Sequence, residues 1–167
     1  MKTDRMILRL IKSSDFEEVL MMFDEPDIFK YIKHAQNNSR EEHLEFLRLK
    51  VNQIELGLGY YWVIREIETE KLMGAINLTP IPSTGEIQIG WVVSTLFRNK
   101  GLAFEAAKAA LDFGIYKTNF NSIYAVFEKE NSASEKIVKK LNFQFHETFY
   151  EEEIELKKYK LDTTLNK

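Results

Sequence analysis

The chain has 167 residues, a formal net charge of −3, 44% hydrophobic and 13% aromatic residues, and no cysteine. This length suits one domain with a substantial core, and the composition excludes an intrinsically disordered chain. The acidic balance argues against nucleic acid as the main partner. The lack of cysteine excludes disulfides, thiol catalysis and cysteine-ligated metal, and it fits a reducing compartment.

The histidines and the N-terminus argue against two further classes of protein. His34, His43 and His146 are scattered without the spacing of metal ligands, so we expect no metal site. The first residues lack the apolar core of a signal peptide, and no apolar run is long enough to span a bilayer. We therefore expect a cytoplasmic protein that has no membrane partner.

Hydrophobic periodicity and turn residues predict seven strands and four helices. In chain order these are a strand at 7–11, helices at 14–23 and 39–56, strands at 60–67, 72–78 and 86–93, a helix at 102–116, a strand at 122–127, a helix at 132–142, and strands at 143–150 and 154–161. Capping-box patterns begin at Ser14, Ser39 and Ser132, and Gly57 and Asn142 are placed to end helices. This order predicts a single mixed α/β (α+β) domain, with a mostly antiparallel sheet flanked by helices.

The segment from Trp91 to Ala107 carries the strongest functional signal. An apolar strand leads into the basic turn Arg98-Asn99-Lys100-Gly101, and an alanine-rich helix begins at once. Glycine lets a ligand approach bare peptide N–H groups, which lie at the positive end of the helix macrodipole. The P-loop and dinucleotide-binding glycine patterns are both absent. The turn indicates an anion site, with a simple strand-to-helix connection as the alternative.

Three segments together resemble a known family. Residues 86–93 followed by 98–106 look like the acetyl-CoA-binding motif of the GNAT acetyltransferases. Residues 130–143, and the opening residues 4–9, are similar to the branch that contains the ribosomal-protein N-terminal acetyltransferases. The resemblance covers nearly the whole chain in the right order. It implies the GNAT fold, with acetyl-CoA as cosubstrate.

The resemblance also implies which residues bind the cosubstrate. In the family, the fourth strand separates from its neighbour at a bulge, and the pantetheine arm bonds there like an added strand. By position, Val92 and Val93 are expected to contact the pantetheine, and the Val93 N–H is expected to face the thioester carbonyl. The residues expected around the pyrophosphate are Arg98, Asn99, Lys100, Gly101, Leu102 and Ala103.

Candidate catalytic residues follow from the same resemblance. Asn131 and Ser134 match the branch's N-x-x-S pattern, and both are expected to bind the cosubstrate. Ser134 is expected to contact the leaving sulfur, with helix initiation as its alternative role. Gln88 stands where the branch often has glutamate, and an amide cannot accept a proton. Glu86, two residues earlier on the same strand face, is the candidate base through a water, with a solvated surface carboxylate as the alternative.

The expected function is direct transfer of the acetyl group of acetyl-CoA to a primary amine in a ternary complex. The acceptor is either a protein N-terminal α-amine, which the branch favours, or a small amine. A non-catalytic CoA-binding sensor or interaction module with the same fold is the alternative that Gln88 keeps open. By the same resemblance, we expect this chain to be a monomer or a homodimer. The acidic run 151–153 is either a solvated turn or a surface that attracts a cationic amine.

Overall fold

The computed structural model describes residues 1–164, which contain seven strands and five α-helices. The strands are β1 (Met6–Leu10), β2 (Tyr60–Glu66), β3 (Leu72–Pro80), β4 (Ile87–Val93), β5 (Ser122–Glu128), β6 (Gln144–Glu151) and β7 (Ile154–Asp162). The helices are α1 (Phe16–Phe23), α2 (Lys33–Gln36), α3 (Arg40–Glu55), α4 (Leu102–Lys117) and α5 (Ser132–Lys140). The predicted fold class is confirmed. Within residues 1–164, no helix combines the length and apolar character needed to cross a membrane.

All seven strands form one sheet in the order β1-β2-β3-β4-β5-β7-β6. Neighbouring strands are antiparallel, except that β4 and β5 run parallel. The ladder between β4 and β5 consists of one pair, Gln88 opposite Tyr124, near the start of both strands. The two strands therefore diverge toward their C-terminal ends. The resulting gap opens in the middle of the sheet and not at its edge.

The two faces of the sheet support separate hydrophobic cores. The first core lies beneath α4 and α5, on what we call the α4 face; its members include Ile76, Ile89, Ala106, Ile123 and Val138. The second core lies beneath α1 and α3, on the α1 face; its members include Val19, Leu47, Val63, Ala75 and Leu72. Because alternate residues of a strand point to opposite faces, the central strands β2 and β3 contribute buried residues to both cores.

Two predicted capping boxes near the N-terminus have different outcomes. The box at Ser39 is confirmed, since its N–H donates to the Glu42 carboxylate at 2.6 Å and its hydroxyl accepts the Glu42 N–H at 3.2 Å. The box at Ser14 is wrong. Asp15 instead accepts the Lys12 N–H at 2.8 Å, in a short 3₁₀ turn that precedes α1. An aspartate one residue later offers a stronger acceptor than the serine hydroxyl.

The third predicted box, at Ser132, is also wrong. Asn131 is the N-cap of α5, and its side-chain oxygen accepts the Ser134 N–H at 3.1 Å. Glu135, which would complete the box, accepts the Tyr159 hydroxyl of β7 at 2.8 Å. A contact with a distant strand thus takes the carboxylate that the local pattern assigned to the cap.

Lys50 of α3 is a buried cation whose hydrogen-bond partners in the described part of the chain are neutral. Its side chain donates to the Gln53 amide oxygen at 3.2 Å and to the Thr79 hydroxyl at 3.3 Å. The residue is 8% exposed. Burial penalises the charged form and lowers the pKa of Lys50 to about 8.

We expect Lys50→Met to stabilise the protein at neutral pH. The unfolded chain, with a lysine pKa of about 10.4, binds more protons than the folded chain between that value and the folded pKa of about 8. The free energy of unfolding therefore rises with pH between about 8 and about 10.4. Below this pH range, the buried charge destabilises the folded state by its full amount. Removing the charge should add on the order of 1–2 kcal/mol at pH 7 and less at pH 10.

Urea unfolding at both pH values measures this gain. The matched control is Lys136→Met, which removes an exposed lysine of α5 and should leave stability nearly unchanged at both. A loss of stability for Lys50→Met at pH 7, or a gain that is as large at pH 10, would contradict the assigned cost of burial.

Candidate functional site

The gap between β4 and β5 exposes backbone groups of β4. The Ser94 N–H donates to the Met73 carbonyl at 2.9 Å, so Ser94 faces β3. Successive residues of a strand direct their N–H and C=O groups to opposite sides, so Val93 and Trp91 direct theirs toward the gap. The Val93 carbonyl accepts the Nε–H of Arg98 at 3.1 Å. The gap therefore presents the hydrogen-bonding edge of a strand, with the Val93 N–H at its open end.

The turn after β4 leaves the first N–H groups of α4 without a side-chain cap. Gly101 is the N-cap, at φ 76°, and Asn99 also has a positive φ of 61°. Glycine has no side chain to accept a bond, and the first helical backbone bond runs from the Glu105 N–H to the Gly101 carbonyl at 3.2 Å. The N–H groups of the first turn are consequently available to an outside acceptor at the positive helix end.

The two basic side chains of this turn are bound to backbone carbonyls. The Lys100 ammonium donates to the Leu96 carbonyl at 3.0 Å. The Arg98 guanidinium donates to the carbonyls of Asp27 at 3.1 Å and Ile28 at 3.4 Å, in addition to its bond to β4. The turn therefore presents backbone N–H groups to an anion more directly than side-chain charge.

The N-terminal segment holds the same turn in place. Arg5 donates to the Lys100 carbonyl at 2.9 Å and forms an ion pair with Glu105 at 2.6 Å. The Thr3 hydroxyl donates to the Glu105 carboxylate, also at 2.6 Å. These bonds link the start of the chain, the turn and the first turn of α4. Contacts within the protein thus hold the turn in this shape.

The segment between α1 and α2, which we call the α1–α2 connection (residues 24–32), spans the open end of the gap. On the β4 side, Glu25 accepts the Ser94 hydroxyl at 2.8 Å and the Thr95 N–H at 2.7 Å. On the β5 side, the Lys33 N–H at the start of α2 donates to the Glu128 carboxylate at 3.0 Å. The sequence pattern predicted no element between residues 23 and 39 and so missed α2.

Ser134 lies on the β5 side of the same gap. The carboxyl ends of parallel strands meet at one edge of a sheet, and α5 begins just after β5 ends. Ser134 is 9% exposed, and its N–H is already bound by the Asn131 side chain. Helix initiation therefore belongs to Asn131, and the Ser134 hydroxyl is not needed for it. Its contact with a leaving sulfur stays a prediction.

Glu86 lies at the closed end of the gap. It precedes the single Gln88–Tyr124 pair and is separated from Val93 by seven residues of extended chain, which is about 23 Å at the rise of a strand. Its carboxylate pairs with Lys158 at 2.6 Å and accepts the Thr84 hydroxyl at 3.0 Å. The bond to Lys158 is the main cause that lowers the pKa of Glu86. The structure therefore brings Val93 and Ser134 to the same end of the gap, and leaves Glu86 at the other.

One buried carboxylate at the open end was missed by the sequence analysis. Glu128 ends β5 and is 4% exposed. The available signal was a glutamate directly after the apolar run Ile123-Tyr124-Ala125-Val126-Phe127, because a charged residue that closes a central strand lies near the strand ends where ligands bind in sheets of this kind.

Comparison with known proteins agrees with this architecture. A family model described as an acetyltransferase (GNAT) domain matches residues 5–144. The uncharacterized N-acetyltransferase p20 of Bacillus licheniformis is 26% identical over 144 residues, which cover 85% of this chain and 80% of that protein.

Two solved structures have the same fold. RimL, a ribosomal L7/L12 α-N-protein acetyltransferase in complex with coenzyme A, superposes with a TM-score of 0.82 at 13% identity, covering 96% of this chain and 95% of that one. Spermidine N-acetyltransferase from Vibrio cholerae, in complex with CoA and spermine, gives a TM-score of 0.81 at 17% identity, covering 97% and 98%. Because the family model matches residues 5–144 of this chain, the chain belongs to the GNAT family of acetyltransferases.

Proposed function

We propose that this protein transfers the acetyl group of acetyl-CoA to a primary amine, by direct attack of the amine within a ternary complex. The observation that carries the proposal is the junction of two features. A strand edge at Val93 is followed, after a 3₁₀ turn at 95–97, by an uncapped helix N-terminus at Gly101. Pantetheine amides followed by a pyrophosphate need these two kinds of partner in this order. The CoA complexes of RimL and of the Vibrio cholerae enzyme support the assignment.

In this proposal the cosubstrate lies along the gap. The pantetheine amides bond to the backbone of Val93, next to Val92, and the pyrophosphate accepts N–H groups from the turn. Asn99 and Arg98 shape the turn, the first by its left-handed backbone and the second by its bonds to carbonyls. The pyrophosphate-binding N–H groups are those of Lys100, Gly101, Leu102 and Ala103.

The chemistry follows from the same placement. A neutral amine attacks the thioester carbonyl carbon, and the oxyanion that forms accepts the Val93 N–H. A preorganised donor of this kind lowers a barrier by about 3 kcal/mol. The sulfur then leaves as a thiolate, and the Ser134 hydroxyl at the start of α5 donates a hydrogen bond to it.

Two classes of acceptor are supported by the comparisons. RimL is named for a protein α-amine, and the Vibrio cholerae enzyme for spermidine. The turn between β6 and β7, with its acidic run 151–153, lies at the open end of the gap, because Leu156 of β7 pairs with Glu128 of β5. A negative turn at this position favours a cationic acceptor. The competing proposal is a CoA-binding sensor without catalysis, for which the amide of Gln88 is the supporting observation.

Gly101→Ala tests the anion site, with Gly57→Ala as its matched control. Both glycines have positive φ, 76° and 69°, and an added Cβ meets only Arg5 Nη2 at 3.7 Å in the first case and nothing within 4 Å in the second. Both variants should therefore lose about 1 kcal/mol of stability. Only Gly101→Ala should weaken CoA binding, by about tenfold, because relaxation of its backbone moves the N–H groups that bind the pyrophosphate.

Isothermal titration with CoA measures this difference, and thermal unfolding measures the shared strain. Equal CoA affinities for the two variants would contradict the proposed position of the pyrophosphate.

Ser134→Ala tests the role of the hydroxyl at the leaving sulfur. The Asn131 cap binds only the Ser134 backbone N–H, so the fold should persist. Turnover should fall by about 10- to 100-fold at unchanged CoA affinity, in a thiol-release assay against amines and short peptides. Ser132→Ala, at an exposed neighbouring serine, is the control and should retain full activity.

Equal rates for Ser134→Ala and Ser132→Ala would remove Ser134 from the mechanism. Tight CoA binding by the unaltered protein, with no thiol release against any amine or peptide, would favour the sensor.

A further inference from the structure

Glu128 carries a buried charge for which the fold gives little compensation. The other buried acidic residue of the described chain is Asp15, which pairs with Arg9 at 2.6 Å and Arg65 at 3.1 Å. Glu128 accepts one backbone N–H, that of Lys33, on Oε1 at 3.0 Å. Its Oε2 lies 3.9 Å from the Lys33 ammonium, whose side chain is 52% exposed. A buried carboxylate held this weakly on one oxygen is a candidate for a functional role.

The register of the sheet places this carboxylate opposite the reacting end of the gap. Gln88 is level with Tyr124, so a count of four residues along each parallel strand makes Val92 level with Glu128. The side chains of Ile123 and Phe127 belong to the first core, so Glu128 points to the α1 face. Glu128 therefore lies across the gap from the end of β4, on the face opposite α4 and α5.

On the α1 face, the main helix contacts fall on β2 and β3 and not on β5. Helices α1 and α3 pack on β2 and β3, and Val126 of β5 is half-buried. Ser134, which faces the sulfur in the proposed function, belongs to α5 on the other face. An amine that approaches the carbonyl carbon from the α1 face meets Glu128 at the level of Val92.

We propose that Glu128 binds the acceptor ammonium and accepts its proton as the amine becomes the nucleophile. This inference rests on the proposed function and supplies the proton acceptor that Gln88 cannot be. The bond from the Lys33 N–H fixes Oε1 and so orients the carboxylate. The Lys33 side chain, itself a primary ammonium, marks the side of Oε2 from which a substrate ammonium is bound.

The step balances without a further reactant. One N–H bond of the ammonium breaks, its proton goes to Glu128 Oε2, and the freed lone pair forms a bond to the thioester carbonyl carbon. The C–S bond then breaks with its electron pair on sulfur, which takes a second proton from the nitrogen. The products are the amide and the CoA thiol, and the proton on Glu128 passes to water.

Glu128→Gln tests this role, since a glutamine keeps an oxygen that can accept the Lys33 N–H. With spermidine and a short peptide with a free N-terminus as probes, kcat/KM should fall about 100-fold at pH 7. The deficit should shrink toward pH 10, because the neutral amine becomes abundant in solution and no longer needs a proton acceptor. CoA affinity should match that of the unaltered protein, and the variant should remain folded.

The control is Glu130→Gln, which makes the same charge change at an exposed residue and should keep full activity. A Glu128→Gln variant with normal kcat/KM, or with a deficit that does not change with pH, would overturn the inference and assign Glu128 only to anchoring α2. If the unaltered protein binds CoA and acetylates neither probe, the proposed function fails together with this inference. If both the unaltered protein and Glu128→Gln acetylate the probes at normal rates, the role of Glu128 is contradicted and the proposed function stands.

Discussion

The structure depends on the parting of two parallel strands in the middle of its sheet. A strand buried between neighbours pairs its N–H and C=O groups with them, and an unpaired buried group costs about 1–3 kcal/mol. Here β4 and β5 share one registered pair, so the end of β4 offers its groups to the gap. Arg98 satisfies the Val93 carbonyl. In the proposed function, the pantetheine amides satisfy the rest.

The gap stays open because its rim is tied down on three sides. Arg5 and Glu105 fix the turn at the start of α4, and Glu25 joins the α1–α2 connection to Ser94. Glu128 joins the start of α2 to the end of β5. Each bond links segments that are far apart in the chain. The conformational entropy of these segments is therefore lost when the protein folds, and not when a ligand binds. Preorganisation of this kind is what a thioester-transferring site needs.

Local patterns predicted the strands well, because apolar runs bounded by turn residues determine them with little help from tertiary contacts. The turn at Gly101 was also predictable, since a glycine between a strand and a helix marks a tight turn, and here it is the uncapped start of α4. That this turn binds an anion stays a prediction. The capping boxes at Ser14 and Ser132 failed because other side chains, Asp15 and Asn131, accept the N–H groups. Glu128 was missed because its partner Lys33 lies 95 residues away in sequence. A contact between residues so far apart in sequence forms only when the chain folds, so a local sequence pattern does not predict it.

The central claim is that the backbone N–H groups at the end of β4 and the start of α4 bind a pantetheine diphosphate. Amide chemical shifts of the uniformly ¹⁵N-labelled protein, recorded while CoA is added, test it at single residues. The largest shifts are expected on Val93 and on Lys100 to Ala103, with small changes at Gly57, between α3 and β2, as an internal reference. Shifts confined to other segments, or a spectrum that CoA does not alter, would contradict it.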